Sequence, residues 1–342
     1  TLVDTNLGLT VSGDVKTNNS GLVSITTSGS PSALSVTGSI EGDGITLTNN
    51  FGGIALGGNL TANAGNVTLT ATGGAQTITQ SAGVITTTGV LTGTSVANAT
   101  FSQANEIAKL GPFNLSASGN FVLNDVSGGL ELAGNVSLNS GGVNITTAGG
   151  ALNLSNFNVI SDSGNNQFTL TGVGVTQGAG SLIDADSGNI LIDAQDGAID
   201  MNGTTFTLAA APNGITIQDA STATLGTLTA ASGNVTIGVG GDILGAITQS
   251  ASAVITTTNL RVSTENSVDL SNTNNVITNL VGVSTLGDFK LVDSTFGLVL
   301  LGNVVTTNGT NPGGVSISTT GGILNVGTRD ITANGDITLV GD

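Results

Sequence analysis

The sequence predicts an all-β fold, a right-handed parallel β-helix (β-solenoid) of about 20 residues per coil. Three observations predict it. Long modules recur in a fixed order, short alternating strands are separated by glycine-rich turns, and the composition supplies an aliphatic core inside a surface of hydroxyls and amides.

The modules come first, because a missed repeat misassigns the whole fold. Leu2-Val3-Asp4, with Gly8-Leu9 and Gly13-Asp14, returns as Leu123-Asn124-Asp125 with Gly129-Leu130 and Gly134-Asn135. It returns again as Leu291-Val292-Asp293 with Gly297-Leu298 and Gly302-Asn303, and the second interval is the longer of the two. Gly44-Ile45-Thr46-Leu47 is matched by Gly214-Ile215-Thr216-Ile217. Ile78-Thr79-Gln80-Ser81 and Val84-Ile85-Thr86-Thr87-Thr88 are matched by Ile247-Thr248-Gln249-Ser250 and Val254-Ile255-Thr256-Thr257-Thr258. Modules therefore lie near 2–43, 123–168 and 291–342, with 44–90 matching 214–260, and the extra coils fall at about 169–213. Whole coils added between intact neighbours suit a solenoid, in which each repeat touches only the next. The expected organisation is one continuous solenoid segment over 1–342. Because Thr1-Leu2-Val3-Asp4 is the middle of a module, the segment reads as an excerpt of a longer repetitive protein.

A shorter period lies inside the long one. It runs from Gly44-Ile45 to Gly65-Asn66, and again from Gly214-Ile215 to Gly233-Asn234, each close to the length of one coil. Val67-Thr68-Leu69-Thr70-Ala71 and Val143-Asn144-Ile145-Thr146 alternate apolar and polar residues, which places the aliphatic side chains on one face of a strand. Gly-Gly, Gly-Asn and Ser-Gly pairs supply the turns between strands. Ala104 to Leu110 is the one helix-like stretch. At the ordinary strand spacing, ~17 coils would build a rod about 80 Å long, with Val and Leu stacked inside and Thr and Asn ladders outside. β-Sandwich domains are the rival, but they tolerate large length changes between repeats poorly and usually bury a Trp or Tyr.

Composition excludes several classes of function. Gly is 53 of 342 residues, yet charged residues are only 8% and mean hydropathy is positive, so the chain is neither collagen-like nor disordered. It has no Cys, His, Trp or Tyr. Disulfides, thiolate metal sites and the commonest general base are thereby absent. A net charge of −17 argues against a nucleic-acid or anionic-membrane partner. There is also no apolar run long enough for a membrane-spanning helix.

Gly65-Asn66-Val67-Thr68-Leu69, Ala246-Ile247-Thr248-Gln249-Ser250, and Leu286-Gly287-Asp288-Phe289 ahead of Leu291-Val292-Asp293 resemble the repeat region of filamentous-haemagglutinin-like exoproteins. Those are large bacterial surface proteins, related in architecture to autotransporter passengers. The resemblance covers essentially the whole chain. It implies a right-handed β-helix, an extracellular, cell-surface location and a role in adhesion, aggregation or biofilm. Pro212-Asn213-Gly214 and Asn311-Pro312-Gly313-Gly314 read as turns.

The densest acidic cluster is Asp184, Asp186, Asp193, Asp196 and Asp200. Together with the Asn189 and Gln195 oxygens it is the one candidate metal site, and Ca²⁺, which takes several oxygen ligands, is the ion it suits. The competing reading, acidic turns on a solvated edge, is favoured, because the repeat of calcium-binding β-rolls is not present. No other cofactor is implied. Paired carboxylates also serve polysaccharide hydrolases, but five scattered cations and no Trp or Tyr leave nothing to hold an acidic sugar, so an enzyme is not expected. The threonine runs at 86–88 and 256–258 read as outward strand residues rather than an ice-binding array. Phe113, Phe121, Phe157, Phe168 and Phe289 read as core or coil-cap packing, with Phe121 matching Phe289. Asn66-Val67-Thr68 and Asn144-Ile145-Thr146 match the glycosylation triplet, as composition alone would produce.

The function that follows is the shaft of a secreted filamentous adhesin. Its partners would be a host or neighbouring cell surface, extracellular matrix or glycan. The alternative is a self-associating extracellular structural protein, a filament, sheath or surface layer.

Overall fold

The computed structural model describes the whole chain except residues 7, 18–20, 30–31, 75, 295–296 and 308–312. Parts of the first and third modules, and Asn311-Pro312 of the expected turn, therefore lie outside the described residues. The described chain is all-β with no helix, a parallel β-solenoid. It forms two compact units, Thr1–Asn166 and Gln167–Asp342.

Each full turn of unit 1 contributes three short strands to three columns. One turn runs through Leu22–Thr27, Leu34–Val36 and Ile40–Gly42, and the next through Gly44–Asn49, Ile54–Leu56 and Leu60–Ala62. The pairing is parallel and in register: Val23 lies against Ile45 and then Val67, Leu34 against Ile54 and then Ile78, and Ile40 against Leu60 and then Ile85. These are the alternating apolar positions, and every one of these side chains is buried. Full burial of a Val, Leu or Ile contributes about 1.5–3 kcal/mol, so like stacked on like is the main source of stability.

Unit 2 repeats the plan. Ile190, Ile215, Val235 and Leu260 stack in one column, and Ile199, Ala223, Ile247, Val268, Phe289 and Val315 in another. Outside, Asn259 Nδ2 donates to Asn234 Oδ1 and Asn279 Nδ2 to Asn259 Oδ1, both at 2.9 Å. This is an asparagine ladder of the expected kind.

The turn is somewhat longer than expected and is not constant. One turn carries Leu34 to Ile54, another carries Ile45 to Val67, and a still longer one carries Val304 to Ile331. The strands are alike; the corners between them differ in length. In unit 1 this has a geometric result. Leu2–Asp4 heads the column that continues through Leu22–Thr27, Gly44–Asn49 and Val67–Ala71 to Val136–Ser140. Phe121–Asp125, which carries the repeated motif, stands in the neighbouring column below Leu34–Val36, Ile54–Leu56 and Ile78–Gln80. The first long repeat thus advances by whole turns plus one column, and its second copy faces another side of the unit.

Three sequence expectations are corrected. Ala104 to Leu110 is not helical but belongs to the strand Ala99–Ser118, interrupted by a register shift after Phe101. Parallel neighbours on both sides bind its backbone, and Asn105, Ile107 and Leu110 point inward. Tertiary hydrogen bonding overrides the local pattern there. The interior is also not purely aliphatic, for Asn49, Gln80, Asn105, Asp125, Thr147, Asn275 and Asp293 are buried. Thr87 and Thr257 face inward as well, donating to the Gly65 and Gly233 carbonyls at 2.8 and 3.0 Å.

Phe101, Phe113 and Phe121 fill one cross-section of unit 1, with centroid separations of 4.9–6.2 Å and tilted or edge-on rings. Phe168 and Phe289 are fully buried in unit 2, and Phe157 is half-buried. These phenylalanines therefore serve packing, whereas Phe51 is exposed.

Candidate functional site

The expected acidic cluster is distributed over several corners. Leu182-Ile183-Asp184-Ala185-Asp186 and Leu191-Ile192-Asp193-Ala194-Gln195 are two versions of one device. The Asp at the strand end accepts the backbone N–H two residues on, Asp186 N to Asp184 Oδ1 at 2.8 Å and Gln195 N to Asp193 Oδ1 at 3.2 Å. Short side-chain acceptors of this kind close turns and tolerate positive φ, and Asp186, Gln195 and Asp196 have φ of 50°, 45° and 63°. Asp193 also accepts from Gln218 Nε2 at 3.1 Å, and Asn189 Oδ1 accepts Gly214 N–H at 3.0 Å. Asp200 accepts from Asn202 Nδ2 at 3.3 Å.

Two acids not singled out in the sequence join Asp193 and Asp196 on successive corners, namely Asp219 and Asp242. Burial, followed by repulsion from Asp196 and Asp193, holds the Asp219 carboxyl above the usual aspartate range. Among the described residues no group of three or more acidic side chains is placed to hold one metal ion.

A second polar arrangement occurs twice and lies inside. In unit 1, Gln80 and Asn105 exchange amide hydrogen bonds, Asn105 Oδ1 accepts Ile85 N–H, and Asp125 Oδ1 accepts Ile107 N–H at 2.8 Å. In unit 2, Gln249 and Asn275 exchange the same bonds, Asn275 accepts Ile255 N–H, and Asp293 accepts Ile277 N–H at 2.8 Å. Asp125 also receives the Ser127 hydroxyl, at 3.0 Å. Burial raises the Asp125 carboxyl pKa, and the hydrogen bonds it accepts oppose that shift. The Gln, Asn and Asp side chains hold the turns in register; all are buried except Gln249, which is half-buried and also edges a surface concavity.

Surface concavities are open and shallow. At least four occur in unit 2, two of them above 600 Å³. The first, of about 670 Å³, is lined mostly by polar side chains, Gln249, Ser250, Ser252, Asp269, Asn272 and Asn274 among them. The second, of about 620 Å³, is more varied. Gly238, Gly240, Gly282 and Gly302 form side-chain-free parts of its wall, Ser263, Ser284 and Asn303 add hydroxyl and amide groups, and Val239 presents an exposed apolar surface. Arg261 and Arg329 both line it. Both are exposed, and among the described residues neither guanidinium has an ion pair or a side-chain hydrogen bond.

Nothing in the sequence signals this pairing, because the arginines are far apart along the chain and the cations read as scattered. The register explains it. Arg261 pairs with Gly282, Val283 with Val304, and Val304 with Ile331, so three rungs join the two arginines. By contrast, Lys16 and Lys109 of unit 1 meet Glu41 and Glu131 on the next rung, at 2.7 and 3.1 Å.

Comparison with protein-family models, with curated proteins and with solved structures finds no match to the chain.

Proposed function

We propose that the chain is shaft material of a secreted bacterial surface adhesin, a non-enzymatic scaffold that carries and presents contact surfaces to a host or neighbouring cell, matrix or glycan. The observation that supports this reading most is the pair of matching Gln–Asn–Asp arrangements. They are rebuilt with the same partners in both units, while outward residues beside the Asn and Asp members differ, Glu106 against Val276 and Val122 against Lys290. Such a design maintains a frame and leaves its surface free to change. The polar, weakly charged exterior suits the same reading.

The test is the exposure of the parent protein on intact producing cells, together with attachment by the purified chain. Protease added outside should remove the protein, and the purified chain should be retained on target cells or matrix. Protection of the protein inside intact cells would sink the reading. Filaments or sheets formed by the purified chain without any target would replace it with the self-assembling structural protein.

A further inference from the structure

We infer that the groove of Arg261 and Arg329 in unit 2 is a binding site for an acidic polysaccharide. The proposal deepens the adhesin reading and rests on it only for where such a ligand would be met.

The first ground is charge. The chain carries five cations against 22 acidic residues. Two of the five line one groove and neither has an acidic partner among the described residues. An arginine left unpaired in so acidic a chain is not used by the fold. The repeat makes the same point: after the buried Leu91 of unit 1 the outward residue is Thr92, whereas after the buried Leu260 of unit 2 it is Arg261. The frame accepts a neutral residue at that step.

The second ground is spacing. Three rungs separate the arginines, about 14 Å at the usual strand spacing. That is too far for both forks to hold one small anion and suits an extended ligand with several anionic groups. Guanidinium forks match planar carboxylate and sulfate oxygens.

The third ground is the lining between them. Sugars combine hydroxyls with apolar C–H faces. The groove offers Ser263, Ser284 and Asn303 to the first and Val239 to the second, while the glycines let a chain approach the backbone closely. The volume of about 620 Å³ is in the range of ligand sites. Distant acids of the chain are screened within about 8 Å at physiological salt, so the local arginines set the field. The acids at hand are Asp330, next to Arg329, Asp242, whose Oδ1 accepts Val239 N–H at 2.7 Å, and Glu265, which stands beside Gly241. Without aromatic rings the groove has no stacking platform for single-stranded nucleic acid.

The experiment is solution binding of the purified chain to polygalacturonate, dextran sulfate and neutral dextran, at low and high salt. Binding is expected for one or both acidic polymers and not for neutral dextran. The two acidic arms tell a carboxylated ligand from a sulfated one. Arg261→Gln and Arg329→Gln should each weaken binding about tenfold or more, with melting unchanged because both side chains are free of the fold. Lys290→Gln, an exposed cation outside the groove, should leave binding unchanged. Undiminished binding by the double arginine variant, an equal loss in Lys290→Gln, or equal binding of neutral dextran would each overturn the site. Loss of polysaccharide binding with attachment to cells intact would discard the groove and leave the shaft reading standing. Polysaccharide binding by a protein found only inside cells would do the reverse.

Discussion

Gln80 and Asn105 hold each other by a reciprocal pair of hydrogen bonds, Gln80 Nε2 to Asn105 Oδ1 at 2.7 Å and Asn105 Nδ2 to Gln80 Oε1 at 3.1 Å. Their side chains come from adjacent turns, so the pair fastens one turn to the next from inside. Asn105 also accepts Ile85 N–H and donates to the carbonyls of Phe101 and Asn124. Without Asn105 the Ile85 N–H and the carbonyls of Phe101 and Asn124 would lose this side-chain partner, whereas Gln80 would keep the Gly83 carbonyl and the Gln103 N–H.

Asn105→Leu should therefore cost about 3 kcal/mol or more, because a buried group left unpaired costs about 1–3 kcal/mol and at least two are exposed to that fate. Asn275→Leu should do the same in unit 2. Adding Gln80→Met to the first variant should restore part of the loss, since removing both partners is cheaper than removing one. Hydrogen exchange at Ile85 and Ile107 reports the local effect. A cost no greater than that of a surface substitution would show that the pair is dispensable.

Asp125 should make stability depend on pH in an unusual direction. Its carboxyl pKa is raised by burial, so the folded state binds the proton more tightly than the unfolded state. This contribution is complete below the ordinary aspartate range, about pH 4, and is lost as pH rises through the raised value. Asp125→Asn should flatten the profile of melting temperature against pH above about 4. It should also be at least as stable as the wild type at neutral pH, since its amide oxygen can still accept Ile107 N–H. A steeper profile would contradict the assignment.

The acidic corners make a separate test. Asp219 faces Asp196 and Asp193, and burial and repulsion both raise its carboxyl pKa. The sign is the same, with stability greatest while Asp219 is protonated and lost as pH rises. Asp219→Asn should raise the melting temperature at neutral pH and lose that advantage near pH ~4. Ca²⁺ or a chelator should leave the melting temperature unchanged, because no three acids converge among the described residues. A rise with Ca²⁺ would show that the corners do bind it.

Two glycines should respond oppositely to alanine. Gly141 has φ of +140°, and a Cβ there would overlap the Gly119 carbonyl oxygen of the preceding turn. Gly141→Ala should cost about 2 kcal/mol or more, from the strained backbone and the displaced neighbour. Gly128, with no atom near its would-be Cβ and no positive φ, should accept alanine with little change. Thermal melts of the pair decide the point.

The architecture was legible in the sequence because its causes are local. Alternation in Val67-Thr68-Leu69-Thr70-Ala71 comes from the strand backbone, and Gly-Asn or Ser-Gly turns from φ preferences, so both show in a single coil. Asp184, Asp186, Asp193, Asp196 and Asp200 were visible as a cluster for the same reason. Their use was not, because the partners of Asp193, namely Gln218 and Asp219, lie a whole turn away.

What the sequence by itself determined is the stacked parallel fold, its aliphatic core and the recurrence of its modules. Only the tertiary structure decided which residues meet. Each corner has its own length, so turns as unequal as Leu34 to Ile54 and Val304 to Ile331 accumulate a phase that no fixed period reports. That phase sets the second copy of Leu-x-Asp on a neighbouring face of unit 1. It also brings Gln249 to Asn275 and places Arg261 and Arg329 in one groove. Strand formation depends on neighbours along the chain, whereas contact between turns depends on the summed lengths of every corner between them.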